Sequence, residues 1–163
     1  MNEPTQNVKV RPLQIEDLKE ARRINDFWFK GTTVRFGFCG RLRFFCQYVL
    51  ASLGLRLDFL WVVAELENQI VGFAVYEVCR KEIHIARFGV DPEKLRMGIG
   101  TKMMQWLIKE SASRNKRIVV LEARETAFPA LCFYKSMGFK TAKIIHRFYS
   151  DTNEGAHFMK LTL

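Results

Sequence analysis

Apolar and polar positions recur along this chain with two periods, and the periods mark out its elements. VKVRPLQIEDLKEARRIND, residues 8–26, begins with a short alternating stretch and turns at Pro12; Ile15, Leu18, Ala21 and Ile24 then follow at helical spacing. That pattern predicts a strand and then a helix entered near Gln14. Residues 26–58 are less regular, but Leu42, Phe45, Cys46, Val49, Leu50 and Leu53 fit one helical face ending at Gly54. FLWVVAELENQIVGFAVYEV, residues 59–78, reads as two strands around a turn at Glu67, Asn68 and Gln69, and EIHIARFGV, residues 82–90, reads as a third.

Past Gly98 and Gly100, Ile99, Met103 and Trp106 or Leu107 keep helical spacing until SRNK at residues 113–116. RIVVLEA, residues 117–123, is dense in β-branched residues and predicts a buried strand. Pro129 suits the first turn of a helix over PALCFYKSM, which Gly138 terminates, and two more strands, roughly Thr141–Tyr149 and His157–Leu163, follow. The order β-α-α-β-β-β-α-β-α-β-β predicts a mixed α/β domain.

Composition narrows the classes. With 163 residues, 48% of them hydrophobic and 13% aromatic, the chain is expected to be one globular domain, residues 1–163, with a substantial core. MNEPTQNVKV lacks an apolar signal region, and the apolar stretch from Phe36 to Val63 is broken by Arg41, Arg43, Gln47, Arg56 and Asp58, too polar for a bilayer span. Cys39, Cys46, Cys79 and Cys132 form no Cys-x-x-Cys pair, which favours reduced thiols and a cytoplasmic location, with no metal expected. The net charge of +9 favours an anionic partner: nucleic acid, an anionic membrane surface, an acidic protein or a phosphorylated cofactor. Arg35, Arg41, Arg43 and Arg56 interleave with Phe36, Phe38, Phe44 and Phe45, as in a basic RNA- or ribosome-binding module, although no nucleic-acid motif accompanies them.

DPEKLRMGIGTKMM, residues 91–104, carries the clearest chemistry. A strand, a tight turn of small residues and a helix N-terminus aim N–H donors and a positive dipole end at one point, which suits a phosphate or pyrophosphate. Neither the Walker pattern nor the dinucleotide fingerprint fits, because no Gly-Lys-Ser/Thr follows and Met103 stands where a third glycine belongs. A turn glycine with a close-packing neighbour is the alternative.

VDPEKLRMGIG, residues 90–100, resembles the acetyl-CoA pyrophosphate loop of the GNAT acetyltransferase superfamily, and LEARETAFPALCFYKSMGF, residues 121–139, resembles its second signature. VRPLQIEDLKEARRI and RFYSDTNEGAHFMKL fit as well, so the likeness covers nearly the whole chain except residues 26–58. Within the superfamily the chain looks most like protein N-terminal α-amine acetyltransferases, including the bacterial ribosomal-protein alanine (RimI) type. Two positions depart from the pattern: Leu95 stands where arginine or glutamine is usual, with arginine shifted to Arg96, and Ala127 replaces an asparagine that contacts pantetheine.

The resemblance implies a single-domain GNAT fold, a mixed and mostly antiparallel sheet flanked by helices, and an acetyl-CoA-dependent N-acetyltransferase. Its acceptor would be a protein N-terminus, such as that of a ribosomal protein, or else a small amine. Phe88, Val90, Arg96, Met97, Gly98, Ile99, Gly100 and Thr101 would hold the acetyl-CoA, with a backbone N–H near Val90 meeting charge on the thioester oxygen. Attack on a thioester needs a neutral amine, and so a base. Glu122 matches that base, unless it only pairs with Arg124, and His84 is the second candidate. Tyr134 matches the acid that protonates the leaving thiolate. Tyr149, after Phe148, matches an aromatic pair that grips a peptide, unless the two only pack across strands. Glu82 shares its expected face with His84 and would line the acceptor channel, with residues 26–58 forming the other wall. Any nucleic acid would be reached through the ribosome.

Overall fold

A computed structural model describes residues 7–29 and 59–163. The predicted helix over residues 42–53, the arginine and phenylalanine interleaving, Cys39, Cys46 and most of the expected acceptor wall lie outside the described residues.

Among the described residues, strands β1 (Lys9–Pro12), β2 (Phe59–Leu66), β3 (Gln69–Val78), β4 (Ile83–Val90), β5 (Ile118–Arg124), β6 (Lys140–Tyr149) and β7 (Glu154–Thr162) form a sheet of order β1-β2-β3-β4-β5-β7-β6. Every neighbouring pair is antiparallel except β4 with β5. Helix α1 (Leu18–Phe29) covers one face, and α2 (Ile99–Ser113) and α3 (Phe128–Ser136) cover the other.

Local chemistry explains the boundaries. Glu67 and Asn68 both adopt positive φ, 51° and 61°, so β2 and β3 meet in the two-residue turn whose twist suits a hairpin. A 3-10 turn, Ile15–Asp17, precedes α1 and is closed by the Asp17 carboxylate accepting from the Gln14 N–H at 2.7 Å. Helix α1 therefore begins later than the periodicity predicts. Ile15 and Leu18 stay exposed, while Ala21 and Ile24 are buried against Val63, Phe73 and Val75.

On the opposite face α2 buries Ile99, Met103, Met104 and Leu107 over Ala64, Ala74, Tyr76 and Ile85. Met103 closes on the sheet so tightly that a Cβ added at Gly72 would lie 2.7 Å from its sulfur. Gly138, at φ 92°, ends α3 as expected. Among the described residues no helix is long and apolar enough to cross a membrane.

One irregularity matters for function. Val75 lies opposite Arg87 and Tyr76 opposite Ile85, which leaves Ala86 as an extra residue in β4. This bulge shifts the alternation by one, so Ile83 and Ile85 before it and Phe88 and Val90 after it all join the α2 side. His84, Arg87 and Gly89 take the α1 side, where the Arg87 guanidinium donates to the Asn25 carbonyl at 2.6 Å.

Candidate active site

The site begins where the sheet opens. β4 and β5 pair only through Ile83 with Val119, His84 with Val120 and Ile85 with Leu121, yet β4 continues to Val90 and β5 to Arg124. Their C-terminal halves therefore border a slot. The Asp91 N–H donates to the Val71 carbonyl of β3 at 2.8 Å, and the Gly89 carbonyl lies against Gly72. Backbone direction alternates along a strand, so the peptide groups of Phe88 and Val90 point away from β3 into the slot. The Val90 carbonyl is occupied by the Trp28 indole N–H at 2.7 Å, which leaves the N–H groups as that edge's donors.

The slot leads to the glycine loop. Asp91 caps the short 3-10 turn Pro92–Lys94 by accepting from the Glu93 N–H at 3.0 Å, and it is ion-paired to Arg23 of α1. Burial opposes its charge, but Arg23 and the Glu93 N–H outweigh burial and hold the carboxyl below its ordinary value. Arg96 and Gly98 both take left-handed backbone, φ 65° and 75°, and so turn the chain sharply into α2. The Lys102 N–H donates to the Gly98 carbonyl at 3.1 Å, so the first-turn N–H groups before it have no acceptor within the helix. Gly100 packs beside Phe88 and Phe133, and Leu95 is exposed. Helix α2 thus points its positive end at the mouth of the slot.

Where β4 and β5 part, His84 Nε2 and Glu122 Oε2 are 2.7 Å apart. The two base candidates are therefore one hydrogen-bonded pair. Burial disfavours the imidazolium, but the bond to Glu122 and the charges of Glu122, Glu77 and Glu82 overcome it and raise the His84 pKa above its ordinary value. Glu82 lies just before β4 and acts on His84 through its charge.

Two phenols lie close by. Tyr134 of α3 is buried among Phe88, Phe133 and Phe139, with ring centroids 5.4–6.3 Å away. Tyr149 ends β6, is also buried, and has the Phe148 ring edge-on at 5.0 Å. Burial first, and then the field of Tyr149, raises the Tyr134 pKa; burial also raises that of Tyr149, with Glu122 among the charges it feels. Neither hydroxyl has a hydrogen-bond partner among the described residues, an uncommon state for a buried phenol.

Arg124 completes the group. Its guanidinium lies 3.9 Å from the Tyr149 ring centroid and is pinned by Asp151 at 2.7 Å, Glu154 at 3.0 Å and Thr152 at 2.8 Å. Arg124 binds the β6–β7 turn and Glu122 binds His84, so the alternative reading of Glu122, an ion pair with Arg124, is not the pairing formed.

The fold therefore gathers His84, Glu122, Tyr134 and Tyr149 around the slot, with Phe88 and Val90 on its edge and residues 96–101 at its mouth. Sequence reasoning missed the Trp28 cap, the Arg23–Asp91 tie and the Arg124 clamp. All three are long-range contacts, and only the aromatic and charge-rich character of α1 hinted at the first two. Ala127 occupies the N-cap of α3 and supplies no side-chain cap. A cleft between α1 and the β2–β3 turn is lined by Arg11, Asp17, Arg23, Glu65 and Asp91, whose side chains pair with one another.

Known proteins resemble this chain in sequence and in fold. The [Ribosomal protein bS18]-alanine N-acetyltransferase of Escherichia coli K12 is 31% identical over 98 residues, covering 59% of this chain and 66% of that protein, just under two thirds of its length. An N-alpha-acetyltransferase of Sulfolobus acidocaldarius is 24% identical over 170 residues, covering 96% of this chain and 94% of the relative. The crystal structure of the ribosomal-protein-S18-alanine N-acetyltransferase from Escherichia coli superposes with a TM-score of 0.72 at 25% identity, covering 95% of this chain and 93% of the other. The description Acetyltransferase (GNAT) family matches residues 23–139, and this chain belongs to that family.

Proposed function

We propose that residues 1–163 form a single N-acetyltransferase domain that moves the acetyl group of acetyl-CoA to the N-terminal α-amine of a protein, such as a ribosomal protein, in the cytoplasm. The observation that carries this reading is the slot between parallel β4 and β5, opening beside the His84–Glu122 pair and facing the N-terminus of α2. The family supplies the cosubstrate, and the N-terminal acetyltransferases among the relatives support the acceptor class.

In this reading the N–H groups of Met97 to Thr101 and the Arg96 guanidinium hold the pyrophosphate, and the pantetheine arm lies along Phe88 and Val90. The amine nitrogen attacks the thioester carbon while its proton passes, directly or through a water, to the Glu122–His84 pair. Negative charge on the carbonyl oxygen is met by a backbone N–H of the β4 edge. As the C–S bond breaks, Tyr134 donates its proton to the thiolate; burial keeps the phenol protonated and its hydroxyl has no competing partner. Tyr149, fixed by Arg124, grips the peptide near its first residue, and Glu82 biases the acceptor side through its charge on His84.

A comparison of acceptors tests the assignment. Short peptides with free α-amines are expected to give higher kcat/KM than polyamines or aminoglycosides. The reverse order would assign the protein to small amines and leave the fold and cosubstrate standing.

A further inference from the structure

The face of the sheet that carries His84 and Glu122 continues outward across two more strands. Phe158 of β7 lies directly opposite Glu122, and Lys143 of β6 lies directly opposite Phe158. Directly opposed residues share a face, so Glu122, Phe158 and Lys143 form one row across β5, β7 and β6, and His84, opposite Val120, lies on the same face. The Lys143 ammonium sits 5.2 Å from the centroid of the Phe158 ring, within cation–π range, and so is held toward this row. The neighbouring row on the same face runs from Val120 through Lys160 to Lys140.

This placement is electrostatically unfavourable for the protein alone. Lys140 and Lys160 are exposed and stand directly opposite each other, an arrangement that destabilises a strand pair. Among the described residues none of the three lysines has an ion-pair partner, and the hairpin's acidic side chains, Asp151 and Glu154, are both held by Arg124. A concentrated positive field beside the reacting end of the sheet fits an anionic occupant that enters from the acceptor side.

We propose that the lysine face formed by Lys140, Lys143 and Lys160 selects acceptors whose chain is acidic shortly after its N-terminus. This deepens, and rests on, the peptide-acceptor reading. Strands are about 4.8 Å apart, so Lys143 lies roughly 10 Å from Glu122, and an extended chain rising about 3.3 Å per residue covers that distance in about three residues. An amine at the His84–Glu122 pair therefore brings roughly the third to fifth acceptor residues over the lysines. Continuity with the site favours the acceptor's own chain over a separately bound nucleic acid.

The test uses the full chain and peptides that share their first two residues but carry aspartate, alanine or lysine at the third to fifth. At low salt kcat/KM is expected to fall in that order, with about five- to tenfold between the extremes, and the spread should shrink in ~0.5 M NaCl. The double variant Lys143→Glu, Lys160→Glu should invert the order, with the KM for acetyl-CoA and the circular dichroism spectrum unchanged. Equal rates within twofold for the three peptides, or a preference that survives the charge swap, would overturn the proposal. Competition by single-stranded RNA without any peptide preference would overturn it too and assign the face to nucleic acid. Turnover of small amines with none of any peptide is a separate result; it would remove the peptide-acceptor reading and this proposal with it.

Discussion

Replacing Glu122 by glutamine keeps the shape and a hydrogen-bonding group while removing the charge that raises the His84 pKa. In the wild type the largest influence on His84 is burial, which opposes the imidazolium, and Glu122 is the chief influence against it. Without the Glu122 charge the His84 titration point is expected to fall, and with burial left dominant it should move toward or below the ordinary value of 6.5. Both side chains are mostly buried, 20% and 17% exposed, so the charge-assisted bond is worth about 1.5–3 kcal/mol while His84 is protonated.

The sign in pH follows from the raised titration point. The pair's stabilisation is complete below about pH 6.5, the unfolded value, and is lost as pH rises through the higher folded value. The gap in urea stability between wild type and Glu122→Gln should therefore be widest near pH 6 and narrow toward pH 9. Imidazole NMR reads the titration directly, because the chain has three histidines and His146 and His157 serve as internal references. A His84 midpoint that stays put or rises in the variant would refute the coupling, as would a stability gap that widens with pH.

Other perturbations separate the remaining roles. Tyr134→Phe keeps the ring and loses the proton donor, so kcat should fall by ~10²–10⁴ with acetyl-CoA binding little changed by calorimetry. Gly98→Glu places a charged side chain at a φ of 75°, so acetyl-CoA affinity should fall at least about tenfold in a variant shown by circular dichroism to be folded. Tyr149→Phe should raise KM for peptide while leaving that for acetyl-CoA unchanged in steady-state assays.

The sequence disclosed elements through periodicity and the cosubstrate loop through motif, and both are local signals. Gly98 with a positive φ and the helix beginning at Ile99 are properties of a ten-residue window, so they were readable. The partnership of His84 with Glu122 depends on β4 and β5 being adjacent and parallel although the two residues are 38 positions apart, and no local pattern encodes that. The bulge at Ala86 was equally hidden. Simple alternation along IHIARFGV would carry Phe88 to the side of His84, whereas one extra residue returns it to the α2 side. The clamp of Arg124 on Tyr149 was masked by an easier local reading, in which Arg124 answers Glu122 two residues away on its own strand.

The central claim is transfer to an α-amine from acetyl-CoA, and one assay meets it directly. Purified protein is incubated with labelled acetyl-CoA and a short peptide carrying both a free α-amine and an internal lysine, beside the same peptide blocked at its α-amine, and the label is located by fragment mass spectrometry. The account predicts label on the α-amine of the first peptide and none on the second. Label on the lysine ε-nitrogen at comparable rate, or equal labelling of the blocked peptide, would contradict it.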